Sequence, residues 1–145
     1  MPKLYMNDKV DRIKEWFYQA DQDLGSAIVI FQHIPRYFET VAFHCQQAVE
    51  KYIKGLLVFY DSNFKKTHDV VFLLELLTDK TDISDDLYSK ALSMEGFGVD
   101  IRYPNHKIHL SKEELENTIK IAREFRAFVK ERIDFNLDEY KLPGS

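Results

Sequence analysis

Two long stretches of the sequence carry apolar residues at every third or fourth position, the spacing of one face of an α-helix. The first covers about residues 8–31 and the second about residues 36–60. Pro35 separates them, because the residue before a proline avoids helical geometry. Two long amphipathic helices joined by a short turn predict an antiparallel pair with a shared core.

Three further helical patterns follow, each with a recognisable start or stop. A short helix begins after Thr67, its predicted N-cap; a fourth starts near Ser84 and stops at Gly96; the last starts at Ser111, where Glu114 completes a capping box. No alternating strand pattern is present. The sequence therefore predicts an all-α fold: an up-down antiparallel helical bundle of four main helices plus one short helix.

The length of 145 residues predicts a single domain over residues 1–145, with its core at about 8–133 and a peripheral tail at 134–145. The single cysteine, Cys45, excludes an intramolecular disulfide framework. No apolar run approaches the roughly 20 residues that span a bilayer. We therefore expect a cytoplasmic protein without a membrane partner.

The formal net charge of −4 is unlike that of a dedicated duplex binder, whose affinity comes mainly from a basic surface. One local exception is the segment 102–109, which contains Arg102, Tyr103, His106, Lys107 and His109. Histidine exchanges protons near neutral pH, and arginine grips phosphate with a bidentate fork. The segment is either a phosphate-handling site or a loop with solvated cations.

The second helix carries a polar cluster of Gln46, Gln47, Glu50, Lys51 and Lys54 on the predicted face opposite the core. It is either a solvated face, supported by the Glu50–Lys54 spacing of four, or a polar wall beside a ligand or dimer groove. Two apolar residues on the same side, Phe43 and Val58, are either ordinary exposed residues or part of an oligomer interface.

Residues 66–69 form a second candidate site, since Lys66 and His68 flank the predicted start of the third helix. They are either a loop with a helix cap or an anion site. No metal site or cofactor is predicted. The histidines are scattered, and neither a zinc-type spacing nor a glycine-rich phosphate loop occurs.

Three segments in this order, residues 46–55, 66–69 and 102–104, resemble the HEPN domain family, and residues 20–24 in the first helix also fit. The resemblance implies a helical bundle that forms a homodimer, often beside a minimal nucleotidyltransferase in a toxin–antitoxin pair. Active members are metal-independent ribonucleases with an R-x4–6-H motif, which Arg102 and His109 satisfy with six intervening residues. The Arg-Tyr-Pro form resembles the branch proposed to bind nucleotides or to serve as an accessory subunit.

Two functions follow as expectations. In the first, the chain is a nucleotide- or nucleic-acid-binding or accessory subunit, with ligand contacts from Lys51, Lys54, Lys66, His68, Tyr103, His106 and Lys107. In the alternative, it is a metal-independent endoribonuclease. His109 would then be the general acid or base, and Arg102 would stabilise charge on the phosphate.

Overall fold

The computed structural model describes residues 2–34, 36–95, 110–137 and 142–143, with side chains from residue 8 onward. Its five helices are α1 (Pro2–His33), α2 (Phe38–Phe59), α3 (Val70–Glu75), α4 (Asp85–Ser93) and α5 (Lys112–Arg132). The described residues contain no strand. The predicted all-α helical bundle is confirmed, and α1 extends further at its N-terminus than the apolar pattern indicated.

Helices α1 and α2 form the antiparallel pair that the sequence predicted. Residues late in α1 lie beside residues early in α2, and the early part of α1 lies beside the end of α2. The two helices approach closely at Gly55, because a Cβ placed there would lie 3.2 Å from Cβ of Trp16. The missing side chain therefore lets the two helix backbones come together.

Helix α2 ends in a defined C-terminal motif after Phe59. Asp61 adopts a left-handed conformation with φ of 57°. Its N–H donates to the carbonyl of Val58, and that of Ser62 donates to the carbonyl of Leu57. This is a Schellman motif, in which aspartate tolerates the backbone geometry better than most residues.

The caps of the other helices agree with the sequence, with one exception. Ser84 accepts a hydrogen bond from the amide of Leu87, and Ser111 accepts one from the amide of Glu114. The prediction of Thr67 as the cap of α3 is wrong. Asp69 holds that position and accepts from the amide of Phe72, while the hydroxyl of Thr67 accepts from the amide of Asp69.

Helix α2 lies at the centre of the bundle, in contact with α1, α3 and α5. Its buried side chains consequently extend round most of the helix and include Gln46, Glu50 and Lys54. The prediction of a solvated polar face on α2 is therefore wrong. Val58 is also buried in the core of this chain, so it is not an exposed apolar residue.

Two other regions depart from the apolar pattern. Leu92, an apolar residue at the end of α4, is 59% exposed. Leu137 and Leu142, in the segment after α5, are buried against the core. Arg123 of α5 also donates to the carbonyl of Pro143 at 3.3 Å. The described part of the tail therefore packs on the bundle although it has no helical period.

Candidate functional site

One face of α2 brings together two segments that the sequence separated by about twenty residues. Gln46 and Glu50 lie one turn apart on α2, and both hold His68 in the loop before α3. The side-chain amide of Gln46 donates to the backbone carbonyl of His68 at 3.1 Å. Nδ1 of His68 lies 2.7 Å from Oε1 of Glu50. Because a carboxylate only accepts, Nδ1 carries the proton.

The carboxylate of this pair is buried and the imidazole is not. The side chain of Glu50 is 3% exposed, whereas that of His68 is 63% exposed. Buried charges are normally paired, and the second partner of Glu50 is Lys54, with Nζ at 3.4 Å from Oε2. We call Gln46, Glu50, Lys54 and His68 the Glu50 cluster.

Lys54 does not project into solvent as the sequence suggested. Its ammonium group lies 5.5 Å from the centroid of the Trp16 ring on α1, in cation–π geometry. The Lys54 stem is buried, and its ammonium group contacts the Trp16 ring and the Glu50 carboxylate within the bundle. Trp16 of α1 therefore contacts Lys54, one of the polar residues of α2.

Lys51 is likewise paired inside the chain. Its Nζ lies 2.5 Å from Oδ2 of Asp23, and Oδ1 of the same carboxylate lies 2.8 Å from Nδ1 of His44. This α1–α2 cluster is partly exposed. Lys51 and Lys54, both predicted as groove contacts, thus each have an internal carboxylate partner.

A third carboxylate, Asp21, is fully interior and holds α1, α2 and α5 together. Arg126 of α5 donates from Nε to Oδ1 at 2.8 Å and from Nη2 to Oδ2 at 3.2 Å. The hydroxyl of Tyr52 donates to Oδ1 at 2.5 Å. Burial, followed by the Asp21 charge, raises the pKa of Tyr52 above its usual range. We call Asp21, Tyr52 and Arg126 the Asp21 cluster.

Sequence reasoning missed the Asp21 cluster, although a signal was present. Asp21 follows Phe17 by four residues and precedes Leu24 by three, so it lies within the apolar face of α1. An acidic residue in such a register needs a buried partner. Its cation, Arg126, lies 105 residues away in sequence, and only the fold reveals it.

The loop beside His68 carries exposed cations. Lys65 and Lys66 are both exposed, and Nζ of Lys65 lies 5.2 Å from the centroid of the Phe72 ring. The start of α3 is occupied by the Asp69 carboxylate, so its first turn offers no anion site. The basic side chains of this loop are therefore those of Lys65, Lys66 and His68.

The end of α4 approaches this loop. Burial raises the pKa of Glu95 above its ordinary value, and a charge and hydrogen-bond contact with Asp69 raises it further. Arg102, Tyr103, His106, Lys107 and His109 lie outside the described residues, whose nearest members are Glu95 and Leu110.

Within the described ranges, no group of three or more His, Cys, Asp or Glu side chains could hold a metal ion. The same part of the chain contains no helix that is both long and apolar enough to cross a membrane.

Comparison with known proteins agrees with the architecture. The family model described as HEPN domain matches residues 13–132, most of the chain. The chain belongs to the HEPN domain family. All the polar contacts of the Glu50 cluster and the Asp21 cluster lie within the matched residues. Among curated proteins, none has a sequence that matches this chain.

Two solved structures share the HEPN fold of this chain. TT1696 from Thermus thermophilus is 25% identical, with a TM-score of 0.76, covering 84% of this chain and 98% of that one. ST0689, an archaeal HEPN homologue, is 25% identical, with a TM-score of 0.68, covering 83% of this chain and 96% of that one.

Proposed function

We propose that this HEPN protein is a binding or accessory subunit that holds a nucleotide or nucleic acid and works with a minimal nucleotidyltransferase in a toxin–antitoxin-like pair. The observation that carries this proposal is the Glu50 cluster. It joins two segments of the family resemblance, on α2 and at 66–69, and presents one imidazole to solvent beside exposed lysines.

The charge distribution favours holding a ligand over capturing long nucleic acid. The net charge is −4, and the two lysines of α2, Lys51 and Lys54, are each paired with a carboxylate. A protein that captures RNA by itself gains from a broad positive field. The exposed cations at residues 65–68 are instead few and local, which suits one or two phosphate groups.

Direct binding measurements test this proposal. Purified full-length chain is titrated with nucleoside triphosphates and short RNA by calorimetry, and co-expression with a neighbour-encoded nucleotidyltransferase tests for a complex. We expect binding of at least one such ligand, weakened by Lys66→Ala. Lys120→Ala, an exposed lysine on α5, is the matched control. Absence of binding to nucleotides, RNA and nucleotidyltransferase alike contradicts the proposal.

An RNA cleavage assay with and without chelator distinguishes the ribonuclease alternative from the binding role. If the chain is a ribonuclease, cleavage should survive chelation and disappear in His109→Ala and Arg102→Ala. Binding without turnover supports the accessory role. The homodimer implied by the family is tested in parallel by light scattering of the same sample.

A further inference from the structure

We propose that Glu50 is a positioning residue that holds His68 as a phosphate-binding imidazole, so that Nε2 of His68 donates to a phosphate oxygen of the ligand. This inference rests on the proposed function and names the contact within it. Neither the comparisons nor the motif of Arg102 and His109 assigns a role to the Glu50–His68 pair. The contact is a non-covalent one throughout.

His68 is held at two points, one on its ring and one on its backbone. Glu50 engages Nδ1 at 2.7 Å, and Gln46 engages the backbone carbonyl of the same residue at 3.1 Å. Together they fix the position of the ring and its tautomer. Nε2 has no partner among the described residues and belongs to a side chain that is 63% exposed. Nε2 is therefore presented to solvent from a loop residue that is anchored on α2.

A purely structural role explains this arrangement poorly. Removing the Glu50 carboxylate from water is costly, and its lysine partner lies at a long 3.4 Å. Apolar residues in place of both Glu50 and Lys54 would pack against the core without that cost. Holding an exposed ring also buries little apolar surface. A carboxylate that accepts from one ring nitrogen orients the other nitrogen, as it does in metal-binding histidines, and here the outer nitrogen faces solvent.

The chemistry of the outer nitrogen selects an anion. When the ring is protonated, both nitrogens donate, and the Glu50 carboxylate balances the added charge from inside. Nε2–H then offers a charge-assisted hydrogen bond to a phosphate oxygen. Lys66 is exposed two residues earlier and can supply a second positive charge. A phosphate monoester or the terminal phosphate of a nucleotide fits this pair of groups.

The test uses full-length protein with isotope-labelled histidine and inorganic pyrophosphate as the probe. The nitrogen and carbon signals of the His68 ring are followed by NMR during titration. We expect saturable shifts at His68 and none at His33, an exposed histidine at the end of α1 with no carboxylate partner among the described residues. His68 signals that stay unchanged at saturating pyrophosphate overturn the inference without any substitution.

Two variants test the positioning role. His68→Gln should weaken pyrophosphate binding about tenfold, the loss of one charge-assisted hydrogen bond. Glu50→Gln should weaken it by a similar factor of about ten, because the ring loses its charged anchor, and should alter the Nδ1/Nε2 tautomer ratio of His68. His33→Gln is the matched control and should bind as wild type. Unchanged affinity and tautomer ratio in Glu50→Gln contradict the positioning role.

The outcomes separate this inference from the proposed function. Nucleotide binding that persists unchanged in His68→Gln leaves the function standing and overturns the phosphate contact. Pyrophosphate shifts at His68 without binding of any nucleotide, RNA or nucleotidyltransferase support the contact and overturn the function.

Discussion

The Asp21 cluster and the Glu50 cluster each contain a buried carboxylate on a core helix, yet they put it to different uses. Asp21 directs its oxygens at partners on α2 and α5, so the buried carboxylate is paired within the bundle with a buried tyrosine and a partly buried arginine. Glu50 directs one oxygen at Lys54 and the other at an exposed imidazole. The contrast distinguishes a charge that holds helices together from one that aims a side chain outward.

The same contrast separates their contributions to stability. A buried pair that loses one partner leaves an uncompensated charge in the core, whereas a pair at the surface can recruit water. Disruption of the Asp21 cluster should therefore act mainly on folding. Disruption at His68 should act mainly on ligand binding.

The largest expected effect comes from Arg126→Ala. Among the described residues, Asp21 then keeps the Tyr52 hydroxyl but no cation, and a buried carboxylate without a cation should lower the free energy of unfolding by about 3–5 kcal/mol. Urea denaturation measures it, with Lys120→Ala as the exposed α5 control, expected within about 0.5 kcal/mol of wild type. A loss below about 1 kcal/mol would show that the Asp21 cluster is not a structural link.

Glu50→Ala should have an intermediate effect on stability. Lys54 loses its carboxylate but keeps the Trp16 ring, and His68 can turn to water, so we expect a loss of about 1–3 kcal/mol. The same denaturation experiment measures it beside Glu116→Ala, an exposed carboxylate on α5. If the loss equals that of Arg126→Ala, the two clusters do not differ in the way proposed.

Alkaline pH should also weaken the bundle through two buried acids of α2. Burial, with a smaller contribution from Asp23, raises the pKa of the Cys45 thiol from 9.0 to about 12. Burial and Asp21 raise the pKa of Tyr52 above its usual range. A raised pKa means that the folded state keeps the proton to a higher pH than the unfolded state does. Stability is therefore complete below about pH 9 and declines above it.

The expected decline is up to about 1.4 kcal/mol per pH unit for each group above its unfolded pKa. Denaturation at about pH 8, 9, 10 and 11 measures the slope. Cys45→Ala should flatten it between about pH 9 and 10, where the thiol titrates first. Equal slopes in wild type and Cys45→Ala would mean that other groups cause the decline.

The smallest stability effect should come from His68→Gln. The side chain is mostly exposed and glutamine can still reach Glu50, so we expect a change below about 1 kcal/mol. Thermal denaturation of the variant used in the pyrophosphate titration measures it. A loss larger than that of Glu50→Ala would identify His68 as a structural tether of the loop and not as a ligand contact.

Much of the fold could be predicted because helical periodicity and caps are local signals. Ser84 and Ser111 cap their helices as expected, and Asp61 ends α2. The cap of α3 was misassigned, since Thr67 and Asp69 both suit an N-cap and the choice depends on where the loop meets α2. The site was only partly predictable: His68 and Glu50 were both singled out, but their contact was not.

The sequence by itself determined the helices, the antiparallel α1–α2 pair and the family, because each depends on residues a few positions apart or on the order of short segments. Only the tertiary structure decided which polar residues of α2 are buried. Since α2 is central, packing by α1, α3 and α5 surrounds the face that a helical wheel assigns to solvent. That packing pairs Asp21 with Arg126 across the bundle and leaves His68 at the surface with Glu50 behind it.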